Sequence, residues 1–244
     1  AQRLACEVGM KAKLRAEINP ALSANAFDAP AGQFATVEAL PDNLDESVEK
    51  LADGVYVIQN VAGQNQNTLA ISFKDFILAV EAPGSSDGVD QVIARIKETI
   101  PGKPIRYVAM THHHSDHIGG LRSFIAEGAT TITTPGNRKV VEEMAAAPQV
   151  DHLSRNPRKA QIELIDDCKR VITDGTQTVE LMDIGPNPHA KELVIAYLPK
   201  QRIVFQGDMF FVSPNGAPLG LPQASTVGFA KALKEKDLKV DRIA

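Results

Sequence analysis

Several residue types are scarce in this chain of 244 residues, and each scarcity argues against a class of protein. Tryptophan is absent and aromatic residues make up 5%, so a carbohydrate-binding surface of stacked rings has little support. No apolar run approaches the ~18 residues that a membrane-spanning helix needs. The net charge of −4 leaves no basic excess for tracking a phosphate backbone. We therefore expect neither a membrane protein nor a nucleic-acid-binding protein.

Cysteine is almost as scarce, because Cys6 and Cys168 are the two in the chain. They lie far apart in the sequence and form no Cys-x-x-Cys pair, which argues against a zinc site built from thiolates. A disulfide between them stays open at this point, since sequence spacing does not give the distance between two cysteines.

Histidine is also infrequent, with six in the chain, but four of them lie in one segment, THHHSDHIGG at residues 111–120. Imidazole and carboxylate groups are good ligands for zinc and similar cations. Side chains alternate along an extended segment, so His112 and His114 project to the same side and can bind one ion. Asp116 and His117 follow at once and can bind a second. A solvated loop is the alternative, but the segment follows an apolar strand, where layered α/β folds place their sites.

The pattern H-x-H-x-D-H at residues 112–117, followed by Gly119 and Gly120, resembles the motif of the metallo-β-lactamase superfamily. The resemblance runs from residue 51 to the end of the chain. It implies an α/β fold, a four-layer αββα sandwich with metals at one edge of its two sheets. The superfamily includes β-lactamases, lactonases, glyoxalase II thioesterases, sulfatases and nucleases. The motif therefore specifies a metal centre much better than it specifies a substrate.

Two later residues extend the resemblance. His189 lies in the loop GPNPHA and resembles the third histidine of the family's first metal site. Asp208 ends an apolar strand, where the family has a carboxylate that bridges two metals. Many true metallo-β-lactamases have Cys or Ser there, so Asp208 favours thioesterases, lactonases and other hydrolases of the family. The resemblance implies one cation at His112, His114 and His189, and a second cation at Asp116, His117 and Asp208.

Four further residues are candidates for supporting roles. Glu81 ends a strand where many relatives have Asp, and we expect it to hydrogen-bond a ligand histidine or the motif backbone. A solvent-exposed acidic residue is the alternative there. Gly119 and Gly120 are expected to let the backbone pass close to the metals without a Cβ clash. Asn65 lies in a polar turn, 63–67, that resembles the hairpin covering the metals in relatives, and we expect it to contact substrate.

Three other polar residues near these motifs are not expected to be ligands. Alternation turns His113 away from its neighbours, which predicts a packing or supporting role. Ser115 has no evident base other than the metal ligands, so we interpret it as a spacer. His152 lies in a polar stretch and is interpreted as a surface residue.

One ligand of the family pattern has no counterpart in this sequence. The family places a last histidine, a ligand of the second metal, just after a late strand, but no histidine follows His189 here. Residues 238–244 resemble the strand that leads to that ligand, so we expect the sequence to end a few residues before it. If the ending is native, the second site keeps Asp116, His117 and Asp208 and is expected to bind metal more weakly.

The resemblance implies a zinc-dependent hydrolase with two Zn²⁺ per chain and a small-molecule substrate. A metal-bound hydroxide would attack the carbonyl of a lactone, thioester or β-lactam. Asp116 would orient the water and carry its proton to the leaving group. Two alternatives stay open. The absent last histidine favours a non-catalytic metal-binding member of the family, and the shared fold allows a phosphodiesterase or nuclease, against which the acidic balance argues.

The start of the sequence bears on its compartment. The chain begins at Ala1 without a methionine or a secretory apolar segment, as expected of a mature exported protein or an excised fragment. Several relatives are exported bacterial proteins, which gives a slight preference for the periplasm. Compartment and oligomeric state stay open.

Hydrophobic patterning predicts strands that alternate with helices. Residues 1–50 have weak periodicity and several breakers, so they are expected to form an N-terminal extension, followed by the metallo-β-lactamase-like domain at 51–244. Residues 145–162 are predicted to form a polar loop. Strands are predicted at 54–60, 68–73, 76–80, 105–110, 130–134, 170–173, 178–183, 193–198, 202–206 and from 238, and helices at 88–100, 119–127, 137–144 and 226–234.

Overall fold

The computed structural model describes residues 3–5, 11–13, 46–61, 66–211 and 221–244. By its internal contacts the chain divides into two compact units, Ala1–Leu40 and Pro41–Ala244. In the first unit, strands β1 (Arg3–Ala5) and β2 (Lys11–Lys13) pair antiparallel. All further elements belong to the second unit. The predicted division at residue 50 into an extension and a domain stays a prediction.

The first sheet of the second unit has its strands in sequence order, from β3 to β9. Neighbours from β3 to β6 are antiparallel, and neighbours from β6 to β9 are parallel. Parallel strands end at the same edge of a sheet, so the segments after β6 and β7 leave from one edge. The strands are β3 (Ser47–Ala52), β4 (Val55–Gln59), β5 (Thr68–Ser72), β6 (Ile77–Val80), β7 (Ile105–Ala109), β8 (Thr130–Thr133) and β9 (Ile162–Leu164).

The second sheet also keeps its strands in sequence order, from β10 to β14. They pair antiparallel except for the last pair, β13 and β14, which is parallel. The strands are β10 (Lys169–Thr173), β11 (Thr178–Asp183), β12 (Val194–Leu198), β13 (Ile203–Phe205) and β14 (Arg242–Ile243).

Six helices connect and cover the sheets in the described part of the chain. The longest, α1, begins after Ser85, whose side chain accepts a hydrogen bond from the Gly88 amide. No helix of the described residues is both long and apolar enough to cross a membrane. The helices are α1 (Ser86–Thr99), α2 (Ser115–Ile118), α3 (Leu121–Ala126), α4 (Arg138–Ala146), α5 (His152–Arg155) and α6 (Ala224–Glu235), with a 3₁₀ turn at Asp166–Cys168.

Three apolar clusters define the layers of the fold. The first joins one face of the first sheet to α1, α3 and α4. The second lies between the two sheets, and the third joins the outer face of the second sheet to α6 through Phe229. Strand β12 shows why two faces are covered, since Val194 and Ala196 lie in the second cluster and Ile195 lies in the third. The predicted four-layer αββα sandwich is confirmed.

Most differences from the predicted elements lie where residues are partly exposed. Strand β3 begins at Ser47, inside the predicted extension, and three of its six residues are exposed, as suits an edge strand. The predicted loop 145–162 contains the short helix α5 and reaches β9, whose residues are all half-buried. The predicted helix at 119–127 is present as α3, Leu121–Ala126. The short helix α2, which was not predicted, precedes it inside the histidine motif, and the two glycines separate α2 from α3. The last strand is shorter than predicted.

Candidate metal centre

Four side chains from both sheets converge to form a first donor group, His112, His114, His189 and Asp208. The His112 Nε2 atom lies 3.0 Å from His114 Nδ1 and 3.0 Å from His189 Nε2. An oxygen of Asp208 lies 3.5 Å from His189 Nε2. Three ring nitrogens and one carboxylate oxygen thus face a common point.

A second donor group shares Asp208 with the first and adds Asp116 and His117. The His117 Nε2 atom lies 3.0 Å from Asp208 Oδ2 and 3.5 Å from Asp116 Oδ2. Within each group, all donor atoms lie within 4.8 Å of one another. The structure therefore brings together all six predicted ligands, and it places Asp208 where one carboxylate contacts both groups.

Thr111 and Glu81 contact the ring nitrogens of His112 and His117 that do not belong to the donor groups. The Thr111 hydroxyl lies 2.9 Å from His112 Nδ1, which leaves Nε2 to face the first group. Glu81 is buried and hydrogen-bonds His117 Nδ1 through one carboxylate oxygen, while its other oxygen accepts the Thr111 amide at 2.9 Å. Glu81 therefore contacts both a ligand histidine and the motif backbone, and the alternative of a solvent-exposed acid is wrong.

Burial and neighbouring charge set the protonation of these side chains. Burial and the surrounding histidines lower the pKa of His112 to about 3, and burial also lowers the pKa of His114. Burial opposes a charged His117, but the carboxylates of Asp208 and Glu81 outweigh it and raise its pKa to about 10. The contact with His117 lowers the pKa of Asp208. Neutral imidazoles, favoured at His112 and His114, and ionised carboxylates are the forms that bind a cation, whereas His117 must release its proton to do so.

A buried nitrogen without a hydrogen-bond partner supports a metal at this site. The His117 Nε2 atom has no such partner among the described residues, because its contact with Asp208 lacks hydrogen-bond geometry. Buried polar atoms are nearly always satisfied, so an unpaired nitrogen that faces two carboxylates needs an explanation. A divalent cation between them would satisfy this atom, and imidazole and carboxylate donors are suitable ligands for one.

The loop that carries His189 is attached to helix α6 by Asn187. Its side-chain oxygen accepts the His189 amide at 3.0 Å, and its amide donates to the Ser225 carbonyl at 3.0 Å. A Cβ atom at Gly228 would lie 2.9 Å from the Asn187 amide nitrogen. The missing side chain of Gly228 therefore makes room for the residue that positions His189.

The turn that carries Asp208 is held by the side chain of Gln206. Its oxygen accepts the amides of Met209 and Phe210 at 2.7 and 3.1 Å. Asp208 has a φ of 58°, in the left-handed region that Asp tolerates better than most residues. A Cβ at Gly207 would lie 2.5 Å from the Thr111 hydroxyl, so this glycine lets the two strand ends approach.

Gly119 and Gly120 allow a close backbone approach, but to other parts of the protein and not, as was expected, to the metals. A Cβ at Gly119 would lie 1.8 Å from the Gly84 carbonyl oxygen, and one at Gly120 would lie 2.0 Å from a methyl of Val89. These glycines allow the motif to pack against α1 and the loop before it. The clashes that they avoid are with protein backbone and core rather than with the metal donors.

Of the other singled-out residues, those that the structure describes belong to neither donor group. Asn65 lies outside the described residues, so its expected contact with substrate stays a prediction. His113 is half-buried, and its ring stands against that of His114 at 5.1 Å between centroids. Ser115 is exposed at the start of α2, and half-buried His152 lies 3.5 Å from Asp90. Cys168 is a free, exposed thiol, and Cys6 is outside the described residues.

Sequence reasoning missed three residues that position the donors, namely Gln66, Asn187 and Gln206. The Gln66 amide donates to Asp116 Oδ2 at 3.1 Å. Prolines around Asn187 and the polar turn 63–67 that contains Gln66 mark loops, but a loop sequence does not show which ligand its amide side chains reach.

A cavity of about 510 Å³ opens beside the second donor group. Glu81, His117 and Asp208 line it together with the rings of Phe210 and Phe211. The two rings are 37% and 48% exposed, unusual for large apolar side chains beside a polar centre. The cavity therefore borders the second donor group directly, through His117 and Asp208.

Comparison with known proteins agrees with this geometry. The family model of the metallo-beta-lactamase superfamily matches residues 83–244. The fold is similar to that of a metallo-beta-lactamase from Pontibacter korlensis, with a TM-score of 0.59, 16% identity, and coverage of 82% of this chain and 90% of that one. It is also similar to the metallo-beta-lactamase FIM-1 from Pseudomonas aeruginosa in its mono-zinc form, with a TM-score of 0.55, 21% identity, and coverage of 83% and 88%. Because the family model matches more than half of its residues, this chain belongs to the metallo-β-lactamase superfamily.

Proposed function

We propose that this chain is a zinc-dependent hydrolase of small molecules that cleaves the bond between a carbonyl carbon and an oxygen, sulfur or nitrogen leaving group. The observation that carries the proposal is the pair of donor groups that share Asp208, with all donors of each group within 4.8 Å. Such a set of imidazoles and carboxylates in contact with an open cavity has little use in packing alone, because burying it is costly.

The proposed roles of the donor residues are of two kinds, binding cations and transferring protons. His112, His114, His189 and Asp208 would hold one cation, and Asp116, His117 and Asp208 would hold another. When bound, such cations polarise a carbonyl oxygen and make a water molecule acidic enough to be a nucleophile near neutral pH.

Asp116 is the residue best placed to move a proton. Its side chain is 49% exposed, in contrast to His117, which is 3% exposed. One of its oxygens accepts a hydrogen bond from Gln66, which restrains the carboxylate while leaving it in reach of solvent. We infer that Asp116 orients the attacking water and passes its proton to the leaving group.

Two considerations support zinc as the cation, and Asp208 bears on the choice of substrate. Three imidazole nitrogens suit zinc better than magnesium or calcium, which prefer oxygen ligands. A related fold, FIM-1, is described in a mono-zinc form. Lactone, thioester and β-lactam bonds all remain within the proposal, and Asp208 in place of Cys or Ser weighs towards the first two.

The test is turnover of a substrate panel by the purified chain, with added zinc and after chelation. The panel holds a chromogenic cephalosporin, an acyl-lactone, a thioester and a bis-aryl phosphodiester. We expect cleavage of at least one carbonyl substrate, lost with chelator and restored by zinc. His189→Ala and Asp116→Asn should each lower kcat by about a hundredfold or more.

His152→Ala is the matched control, because His152 lies beside Asp90 and belongs to neither donor group. It should leave turnover unchanged. Cleavage of the phosphodiester alone would move the assignment to a phosphodiesterase. Zinc binding without turnover of any substrate would favour a non-catalytic metal-binding protein.

A further inference from the structure

The cavity beside the second donor group has a wall that is apolar or neutral along most of its length. Phe205, Phe210, Phe211 and Ile243 supply apolar surface, and amide side chains such as Gln59 supply neutral hydrogen-bonding groups. Ring faces in this position bind an apolar group of a ligand and offer nothing that binds an anion.

Arg242 is the one Lys or Arg side chain among the described residues that line this cavity. Its guanidinium forms an ion pair with Glu49, which also lines the cavity. The pair joins β3 of the first sheet to β14 of the second. Glu49 thus occupies the group that would otherwise attract a negatively charged substrate.

Two segments that adjoin the cavity residues in the sequence contain no lysine or arginine. Residues 62–65 read AGQN and residues 212–220 read VSPNGAPLG, so neither segment contains Lys or Arg. Among the described residues that line the cavity, the positive charge of a Lys or Arg side chain is therefore that of Arg242.

We propose that Glu49 is a specificity-determining residue that makes this cavity select substrates with an uncharged, apolar group next to the scissile carbonyl. The inference rests on the proposed hydrolase function. Glu49 neutralises Arg242, and the rings of Phe210 and Phe211 receive the apolar group. A substrate with a carboxylate at the same place loses water without gaining a free cationic partner, and neutral amides compensate only in part, so it binds less well.

A pair of nitrophenyl esters of equal chain length tests the selectivity. Nitrophenyl hexanoate ends in a methyl group, and the nitrophenyl monoester of adipic acid ends in a carboxylate. The zinc-loaded wild-type chain should prefer the hexanoate by about tenfold in kcat/KM. Glu49→Gln frees the charge of Arg242 and should shift the ratio about fivefold towards the adipate ester.

A double-mutant cycle of Glu49 and Arg242 separates this effect on selectivity from a general loss of structure. Arg242→Gln leaves Glu49 unpaired and should shift the ratio further towards the hexanoate. The double variant Glu49→Gln with Arg242→Gln restores a neutral wall and should return the ratio to the wild-type value. Both side chains are about half-exposed, at 44% and 45%, so these variants should fold. Glu46→Gln is the matched control, because Glu46 pairs with Arg95 of α1.

Binding without turnover separates failure of this inference from failure of the proposed function. Saturation-transfer NMR with hexanamide and with adipic monoamide measures occupancy of the cavity directly. Preference for hexanamide, reduced in Glu49→Gln, supports the inference even if neither ester is cleaved. Hydrolysis of both esters with a ratio that is the same in wild type and Glu49→Gln overturns the inference and leaves the hydrolase intact. A wild-type preference for the adipate ester overturns it as well.

Discussion

At the scale of single residues, the metal centre depends on side chains that orient the donors as much as on the donors themselves. Thr111 fixes which nitrogen of His112 faces the centre, and Glu81 does the same for His117. Glu81 adopts a φ of 81°, a strained conformation for a non-glycine residue, which the packing around it must maintain. Its buried position and two contacts explain why the end of β6 carries an acid.

Glu81→Gln tests this supporting role. Glutamine is similar in size and can still accept the Thr111 amide, but it removes the negative charge next to His117. We expect zinc affinity to fall about tenfold or more, as is usual when a partner of a ligand histidine is changed. Competition with a chromogenic chelator measures this. Glu127→Gln, at an ion pair with Lys97, is the control, and equal affinities in the two variants would refute the role.

At the scale of elements, most strands and the long helices follow from the sequence, because their apolar residues repeat with the right period. Helix α1 buries Val89, Val92, Ile93 and Ile96 on one face, as its stripe predicts. Strands β3 and β9 were not predicted from the sequence. They lie at the edges of their sheet and are partly exposed, so they lack the buried apolar pattern that marks a strand. The six donors were predicted from the motif and its resemblance, whereas Gln66 and Asn187 depend on loop conformations that no local pattern gives.

The short helices beside the first sheet are joined by one buried ion pair. Arg122 in α3 hydrogen-bonds Asp151 and also donates to the Ala145 carbonyl at the end of α4, at 2.7 Å. Asp151 in turn caps α5 by accepting the Ser154 amide at 2.9 Å. Both charged side chains are 4% exposed. One pair thus links three helices that are too short to be stable alone.

This pair predicts an acid-sensitive part of the stability. Hydrogen bonding to Arg122 outweighs burial and lowers the pKa of Asp151 from 3.8 to about 2. A lowered carboxyl pKa stabilises the fold above the unfolded value, and this contribution of about 2 kcal/mol is lost as pH falls from about 4 to about 2. Asp151→Asn should cost about 3 kcal/mol near neutral pH, because Arg122 stays buried without its carboxylate.

Urea unfolding of wild type and Asp151→Asn across this pH range checks the prediction. The difference in unfolding free energy should shrink between pH about 4 and about 2, where the carboxyl of Asp151 is protonated in the unfolded chain and still ionised in the folded one. Glu142→Gln, at a half-exposed pair with Arg138, should change stability by less than about 1 kcal/mol at every pH. A wild-type advantage over Asp151→Asn that is constant down to pH about 2 would contradict the account.

At the scale of the whole molecule, the centre exists because two sheets end at a common edge. The first sheet delivers Glu81 after β6 and the histidine motif after β7. The second sheet delivers His189 between β11 and β12, and Asp208 after β13. The cluster between the sheets fixes their separation, so the donors are held in place by the main core of the fold. Neither sheet alone supplies a complete donor group.

Zinc titration of the metal-free chain tests the central claim most directly, because the claim is that two donor groups share Asp208. Among the described residues the first group has four donors and the second has three, so calorimetry should show one tighter and one weaker equivalent. His189→Ala should weaken the tighter equivalent alone, and Asp208→Ala should weaken both. A single equivalent that His189→Ala leaves unchanged, or two that Asp208→Ala leaves unchanged, would contradict the account.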